Sequence, residues 1–173
     1  MGGSNTRRLM SQNIVAICDV DDALVDAQLK RMGDDATSMP GSPQQAQPQT
    51  AMASMSKAQV MANARRPRID NAAALRRFTS EQIPRLKRYR DYREMLDKQK
   101  DIDAIVVATP DHMHAVIALA AMDLNKHVYV QKPLCWSVEE ARALAKKAKD
   151  KPSVVTQMGN QGHSSDGSRT GYE

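Results

Sequence analysis

Four short apolar segments, separated by stretches of helical periodicity, restrict the folds open to this chain. They occupy residues 14–18, 102–108, 127–130 and 153–156, and a further short strand is predicted at 86–89. Strands that alternate with helices form βαβ units and a parallel sheet. The near-continuous apolar run of the second segment is typical of a strand covered on both faces. The sequence therefore predicts an α/β fold in which the four segments form one doubly wound parallel sheet.

Composition and charge argue against two classes of partner. The 173 residues suffice for one domain, and 41% of them are hydrophobic, so we expect a buried core. No run approaches the roughly 20 apolar residues that a membrane span requires. The net charge is +5, but aromatic residues, which stack on bases, make up only 3% of the chain. We therefore expect a partner that is neither a membrane nor a nucleic acid.

Residues 33–80 interrupt the alternation of strands and helices. They are rich in Pro, Gln, Ser and Ala. A connection this long inside a compact domain is either an insertion or a disordered segment. We predict a flexible insertion that lies outside the sheet.

The first candidate site residue is Asp19, which directly follows the first segment. Doubly wound sheets bind ligands beyond the carboxyl ends of their strands. A dinucleotide fold places an acidic residue here, about 20 residues after a glycine turn, to hold the adenosine ribose hydroxyls. Gly2 precedes Asp19 by a comparable distance and is either the tail of such a turn or a flexible start. Asp19 or Asp21 could instead cap the next helix, but a ribose-binding carboxylate would favour NAD, because it repels the 2′-phosphate of NADP.

A turn from Thr109 to His114 follows the second segment. Pro110 fixes the turn, and Asp111 is placed to cap the following helix, whose N-terminal amides point towards an anion. His112 and His114 have the spacing of a short metal-binding pair. Since no third ligand lies nearby in the sequence, we predict no metal site.

Gln131, Lys132 and Pro133 follow the third segment. Lys132, held rigid by the proline, can reach into a ligand crevice, hydrogen-bond a substrate hydroxyl and, if burial lowers the pKa of the lysine, help to move the proton of that hydroxyl. The alternative is an ordinary surface lysine. Beyond the last segment, Gly159 and Asn160 suit close approach of the backbone to a ligand, although they are also typical of a simple turn.

Three motifs follow one another at a spacing that resembles the Gfo/Idh/MocA family of glucose–fructose oxidoreductase and inositol dehydrogenase. They are Asp91-Tyr92-Arg93-Glu94-Met95-Leu96, Ala108-Thr109-Pro110-Asp111-His112-Met113-His114 and Lys132-Pro133. The resemblance covers residues 2–32 and about 86–173. The stretch from Gly159 to His163 is similar to a large bacterial branch of the family.

The resemblance implies an N-terminal Rossmann domain, a C-terminal α/β domain, and NAD(P)-dependent oxidation or reduction of sugars, cyclitols or related polyols. The family's Glu-Lys-Pro signature implies that Lys132 is catalytic and contacts substrate and cofactor, with Gln131 in place of the Glu. The family's turn after its fourth strand matches Thr109 to His114, which implies that this turn lies along the cofactor. The residues expected to bind the cofactor, NAD, are Gly2, Asp19, Thr109, Pro110, Asp111, His114, Gln131, Lys132 and Asn160.

Set against the family, the chain is expected to be an incomplete Rossmann domain that lacks the first strand and the C-terminal domain. Residues 1–156 are assigned to the Rossmann domain, and residues 157–173 to the start of a crossover towards a further domain. We expect a cytoplasmic protein that can form a homo-oligomer in its full-length form. The chain alone is expected to be inactive.

Two other functions stay open on the sequence alone. Some relatives in the resembled family hydrolyse glycosides through transient NAD-dependent oxidation. The chain could also be a non-catalytic remnant that binds a nucleotide or a partner subunit. Whether this chain by itself is an enzyme is therefore left open at this point.

Overall fold

A computed structural model of the protein describes residues 2–38 and 71–160. Its strands are β1 (Ala16–Cys18), β2 (Lys87–Tyr89), β3 (Ala104–Val107), β4 (His127–Gln131) and β5 (Thr156–Gly159). Its helices are α1 (Gly2–Leu9), α2 (Asp22–Ser38), α3 (Asn71–Arg77), α4 (Tyr92–Lys98), α5 (Asp111–Asp123) and α6 (Val138–Asp150). A π-helical turn, Phe78–Gln82, and a 3₁₀ turn, Ile83–Arg85, continue α3. The alternation of strands and helices confirms the predicted α/β class.

The chain divides into two compact units. The first comprises Met1–Thr6, Val15–Val20 and Lys87–Glu173, and the second comprises Arg7–Ile14 and Asp21–Leu86. The first unit holds the five described strands. The second holds α2, α3 and the two turns that follow α3.

All pairings among the described strands are parallel. β3 and β4 align Val107 with Val130, and β4 and β5 align Gln131 with Gly159. These registers bring the carboxyl ends of the three strands to one edge of their sheet. Any side chain that follows β3, β4 or β5 directly therefore starts from the same edge.

The prediction of one sheet is wrong for the described residues, which form a two-stranded sheet, β1–β2, and a three-stranded sheet, β3–β4–β5. The β1–β2 ladder continues beyond the strands, since the Lys87 N–H donates to the Val15 carbonyl and the Asp19 N–H to the Tyr89 carbonyl. These bonds use the edge of β1 that faces β2. Within residues 2–38 and 71–160, no strand pairs with the other edge of β1 or with the free edge of β3.

The last strand lies three residues later than the sequence predicts. A turn in which the Val154 N–H donates to the Lys151 carbonyl takes up part of the predicted segment. Val154 is buried in the core while Val155 is exposed, and the ladder with β4 begins at Thr156. The apolar pair of valines thus marks the approach to β5 rather than the strand itself.

The core of the first unit forms where α5 packs on β3 and β4. Ala115, Ala118 and Ala121, spaced by three residues, are fully or almost fully buried on one face of α5. Small side chains at this spacing allow the helix to approach the sheet closely. The larger core residues around them are Ile105, Val107, Ile117, Met122, Val128, Val130 and Leu144.

The second unit is built on the apolar stripe of α2, which packs against α3 and the π-helical turn. The buried residues of α2 are Val25, Leu29, Met32 and Ala36, at helical spacing. Phe78 of the π-helical turn is completely buried. The buried amide of Gln82 accepts from the Ile14 N–H and donates to the Gln12 carbonyl, at 2.9 Å each, which satisfies both of its polar atoms.

The predicted insertion is too wide at both ends. α2 continues to Ser38, and residues 71–80 belong to α3 and the π-helical turn. The prediction relied on the polar composition of the whole segment. It therefore overlooked three buried residues that belong to the core of the second unit, Ala36, Leu75 and Phe78. The remainder of the predicted insertion, 39–70, lies outside the described residues.

A capping box stabilises the start of α6. The Ser137 hydroxyl accepts from the Glu140 N–H, and the Glu140 carboxylate accepts from the Ser137 N–H, which completes a capping box.

In the described part of the chain, no helix combines the length and the apolar character needed to cross a membrane.

Gly159 is required by the close approach of Tyr129. A Cβ at residue 159 would lie 2.5 Å from the Tyr129 hydroxyl and 2.8 Å from two atoms of its ring. We expect Gly159→Ala to destabilise the protein by about 1–3 kcal/mol, the usual cost of overpacking. Gly33→Ala is the control: nothing lies within 4 Å of a Cβ there, and the site is helical. Alanine should stabilise that helix by about 0.5–1 kcal/mol. Urea unfolding followed by circular dichroism measures both, and equal effects of the two substitutions would contradict the analysis.

Candidate functional site

Polar residues follow all five described strands at their carboxyl ends, and four of these residues were expected from the sequence to belong to the site. Thr109, Lys132 and Asn160 follow β3, β4 and β5 within two residues, and the strand registers place them at one edge of the three-stranded sheet. Asp19 follows β1 and so belongs to the end of the other sheet. The structure thus brings three of the predicted site residues to a single sheet edge, and Asp19 stands beside β2.

Asp19 lies where the sequence places it, half-buried directly after β1. Its backbone N–H donates to the Tyr89 carbonyl at 3.0 Å, which fixes its position at the sheet end. The capping role is taken by Asp21, whose carboxylate accepts from the Leu24 N–H at 3.0 Å. The alternative interpretation of Asp19 as the cap of α2 is therefore not needed.

Arg90 is a neighbour of this position that the sequence analysis missed. It follows β2 and donates from its guanidinium to the Val20 carbonyl, at 2.8 Å, one residue beyond Asp19. The signal available in the sequence was a basic residue directly after the short strand at 86–89. A carboxylate and a guanidinium therefore flank the same strand ends.

The pKa of the Cys18 thiol indicates the electrostatic environment at the carboxyl end of β1. This pKa is raised to about 11, first by burial and then by the negative charges of Asp91, Asp19 and Glu94, in that order of importance. The direction means that the surroundings of Cys18 oppose an additional negative charge.

The turn after β3 is held by backbone geometry rather than by a side-chain cap. Pro110 is the N-cap of α5 and makes no side-chain hydrogen bond, while the Met113 N–H donates to its carbonyl at 2.9 Å. Asp111 is the first residue of α5, so the prediction that it caps the helix is wrong. Its carboxylate instead lies in the first turn, where the helix dipole favours negative charge.

His112 and His114 point to different surroundings. His112 is exposed, whereas His114 is 1% exposed. The ring of His114 has Nδ1 2.6 Å from the Pro133 carbonyl oxygen and Nε2 2.9 Å from the Thr109 carbonyl oxygen. Across residues 2–38 and 71–160, no cluster of three potential metal ligands occurs, so the absence of a metal site stays a prediction.

Gln131 is anchored by a residue that the sequence analysis did not single out. Its side chain is 2% exposed and donates to the Asn5 side-chain oxygen at 2.7 Å. Asn5 lies in α1, the helix that begins at Gly2. No local pattern relates residues 126 positions apart, so the sequence offered no signal for this pair.

Lys132 is exposed, in contrast to its two buried neighbours in structure, Gln131 and His114. The peptide bond between Lys132 and Pro133 is cis. Because Lys132 is exposed, its side chain reaches solvent at the sheet edge. Asn160 at the end of β5 is exposed as well. Both side chains are accessible to a ligand at this edge.

A family model matches most of the chain. The oxidoreductase family with an NAD-binding Rossmann fold, GFO_IDH_MocA, matches residues 41–159. The match includes the turn after β3 and the Lys132-Pro133 pair, and it ends with β5.

Individual relatives match shorter stretches. The levoglucosan dehydrogenase of Pseudarthrobacter phenanthrenivorans is 40% identical over 83 residues, which are 48% of this chain and 20% of that protein. Glycosyl hydrolase family 109 protein 1 of Shewanella sp. (strain ANA-3) is 40% identical over 57 residues, which are 33% of this chain and 12% of that protein. The chain therefore spans only a small part of the length of these relatives.

A solved structure shares the fold over nearly the whole chain. Scyllo-inositol dehydrogenase from Lactobacillus casei, with bound cofactor NAD(H) and scyllo-inositol, matches with a TM-score of 0.59 at 16% identity. The match covers 98% of this chain and 36% of that one. At this identity the likeness establishes the Rossmann-type fold.

The raised pKa of Cys18 predicts a slow thiol. Thiolate is the reactive form, so a pKa of about 11 in place of 9.0 lowers its fraction at pH 8 about 100-fold. In Cys135→Ser, which leaves Cys18 as the sole cysteine, alkylation by iodoacetamide should be at least about 100-fold slower in buffer than in denaturing urea. Because folding favours the neutral thiol, this contribution to stability is present below pH 9 and is lost as the pH rises towards 11. Equal alkylation rates in the two solvents would contradict the assignment.

Proposed function

The chain belongs to the Gfo/Idh/MocA oxidoreductase family with its NAD-binding Rossmann fold, and we propose that it serves an NAD-dependent enzyme that oxidises a hydroxyl group of a sugar, cyclitol or related polyol. The observation that carries the proposal is the alignment of Thr109, Lys132 and Asn160 at one edge of a parallel sheet. Ligands of doubly wound sheets bind at this edge.

The residues present fit a dinucleotide. The half-buried carboxylate of Asp19 can accept hydrogen bonds from the ribose hydroxyls of the adenosine. The first turn of α5 has no side-chain cap, so its amides can face the dinucleotide. When bound, the nicotinamide supplies a hydride acceptor. The acidic surroundings of Cys18 favour the free 2′-hydroxyl of NAD over the phosphate of NADP.

The names of two similar proteins support a substrate class. One relative is named for levoglucosan and the solved structure for scyllo-inositol, and both compounds are rings that carry several hydroxyl groups. An exposed sheet edge with a lysine and an amide can bind such a ring through hydrogen bonds. We therefore assign the substrate to the cyclic polyols.

Lys132 is the proposed acid–base group. As the hydroxyl-bearing carbon of the substrate loses a hydride, its oxygen must lose a proton, which an unprotonated Lys132 Nζ would accept to form the ammonium. The carbonyl product then dissociates, and the ammonium returns its proton to solvent. The exposure of Lys132 at the sheet edge gives its side chain access to both substrate and water.

Glycoside hydrolysis is the second candidate, favoured by the similarity to the Shewanella glycosyl hydrolase. The two candidates differ in their cofactor balance. A dehydrogenase accumulates NADH in proportion to product, whereas a hydrolase that oxidises its substrate only transiently releases the aglycone without net NADH. Parallel assays with free cyclic polyols and with nitrophenyl glycosides, both in the presence of NAD, distinguish them.

Asp19 is expected to set the cofactor preference. Loss of a hydrogen bond to a charged group costs about 1.5–3 kcal/mol, so Asp19→Ala should weaken NAD binding by roughly 10- to 100-fold. NADP binding should weaken less or improve, because the repulsion of the 2′-phosphate is removed while Arg90 remains. Calorimetric titration of the protein encoded by the whole open reading frame that contains this chain measures both affinities.

Asp21→Ala is the matched control for Asp19→Ala. It removes a carboxylate two residues away that caps α2, so it should cost stability without altering the NAD-to-NADP preference. If the two variants shift the preference equally, Asp19 is not the ribose ligand.

Lys132→Ala should lower kcat by about 10²–10⁴, the usual loss for a positioned acid–base group. The affinity for NAD should change much less, because the adenosine and the phosphates are held elsewhere. Lys126→Ala is the control, since Lys126 precedes the amino end of the same strand. Initial rates with NAD and a panel of cyclic polyols, measured on the protein encoded by the whole open reading frame, test this prediction. A near-normal kcat in Lys132→Ala would reduce Lys132 to a surface residue.

A further inference from the structure

His114 is a buried side chain with two hydrogen-bonding nitrogens, and both face the same kind of atom. Nδ1 lies 2.6 Å from the Pro133 carbonyl oxygen, and Nε2 lies 2.9 Å from the Thr109 carbonyl oxygen. A carbonyl oxygen accepts hydrogen bonds and has no hydrogen to donate. Each contact therefore needs a hydrogen on the histidine nitrogen.

A neutral imidazole carries only one N–H. Its second nitrogen would then direct a lone pair at a carbonyl oxygen within 3 Å, inside a site that is 1% exposed and has no room for a bridging water. An imidazolium donates to both oxygens, and hydrogen bonds from charged donors are shorter and stronger than neutral ones.

We infer that His114 is a doubly donating positioning residue that ties the Thr109 turn to the Lys132-Pro133 turn. The inference rests on the proposed function, in which Lys132 is the acid–base group. On the far side of Lys132 in the sequence, Gln131 is held by Asn5 at 2.7 Å. Both neighbours of Lys132 along the backbone are thus anchored in the protein.

The two anchors explain how an exposed lysine can be placed accurately. Lys132 itself is exposed, so packing around its side chain does not fix it. Its main chain is fixed instead, by the buried amide before it and by the proline carbonyl after it. His114 would thereby determine where the Nζ atom starts. This role replaces the expected contact of His114 with the cofactor, because both of its ring nitrogens lie against carbonyl oxygens.

Two substitutions separate this role from ordinary structural support. Asparagine places its amide nitrogen near the position of Nδ1, and glutamine places its amide nitrogen near that of Nε2. His114→Asn should keep the bond to the Pro133 carbonyl, and His114→Gln should keep only the bond to Thr109. Each variant loses one hydrogen bond, so a merely structural role predicts equal effects.

In the protein encoded by the whole open reading frame, we expect both variants to lower kcat, and His114→Gln to lower it at least about threefold more than His114→Asn. The Kd for NAD should stay similar in both variants. Hydrogen exchange of the full chain provides a readout independent of activity. The amides of Gln131, Lys132, Leu134 and Cys135 should exchange faster in His114→Gln than in His114→Asn, with α6 as the unaffected reference. Equal kcat and equal exchange in the two variants would overturn the role of His114, whereas loss of activity in Lys132→Ala would still support the proposed function.

The protonation of His114 is tested in the parent chain by NMR with ¹⁵N-labelled histidine at neutral pH. His127 is an internal control, because its Nδ1 accepts from the Val155 N–H at 3.0 Å and so carries no hydrogen. We expect two protonated ring nitrogens for His114 and one bare nitrogen for His127. The signals are assigned through their loss in His114→Asn. A bare nitrogen on His114 would overturn the doubly donating form.

Discussion

The parallel ladder between β3 and β4 determines where the chemistry of this chain can be located. It sets Val107 level with Val130, so the turns that begin at Thr109 and Lys132 leave the sheet side by side. Only then can one side chain of α5 reach the carbonyl oxygens of both turns, as His114 does. A register shift of one residue would turn the buried valines outward and separate the two turns. The position of the candidate catalytic lysine therefore depends on backbone pairing that is satisfied several residues away from it.

Much of the fold was predictable because it depends on periodicity, and the errors arose where tertiary pairing decides. The apolar segments located β1, β3 and β4 to within two residues, but Val154 and Val155 misplaced β5, since one is buried in a turn and the other exposed. The division into two sheets was not predictable, because hydropathy identifies a strand and says nothing about its partner. The polar composition around residue 33 likewise concealed a helix whose buried face continues to Ala36.

Site residues could be predicted where their place in the sequence determines their place in the sheet. They could not be predicted where the direction of the side chain determines their role. Asp19 and Lys132 follow strands, and that order alone put them at sheet ends. The inward direction of His114 has no local signature, because the same residue type stands two positions earlier and is exposed. Arg90 meets the Val20 carbonyl only because β1 and β2 pair. Long-range contacts of this kind require the fold before they can be read.

The buried bond between Gln131 and Asn5 has a consequence for the order in which the chain acquires its structure. It joins residues 126 positions apart, so it forms only after the chain has been synthesised as far as Gln131. Closing so large a loop costs conformational entropy. We expect this step to come late, after the β3–β4 ladder has fixed the position of Gln131. α1 has 8 residues, fewer than an isolated helix needs to be stable in water. α1 therefore becomes ordered late, once Gln131 at the end of β4 is in place to bind Asn5.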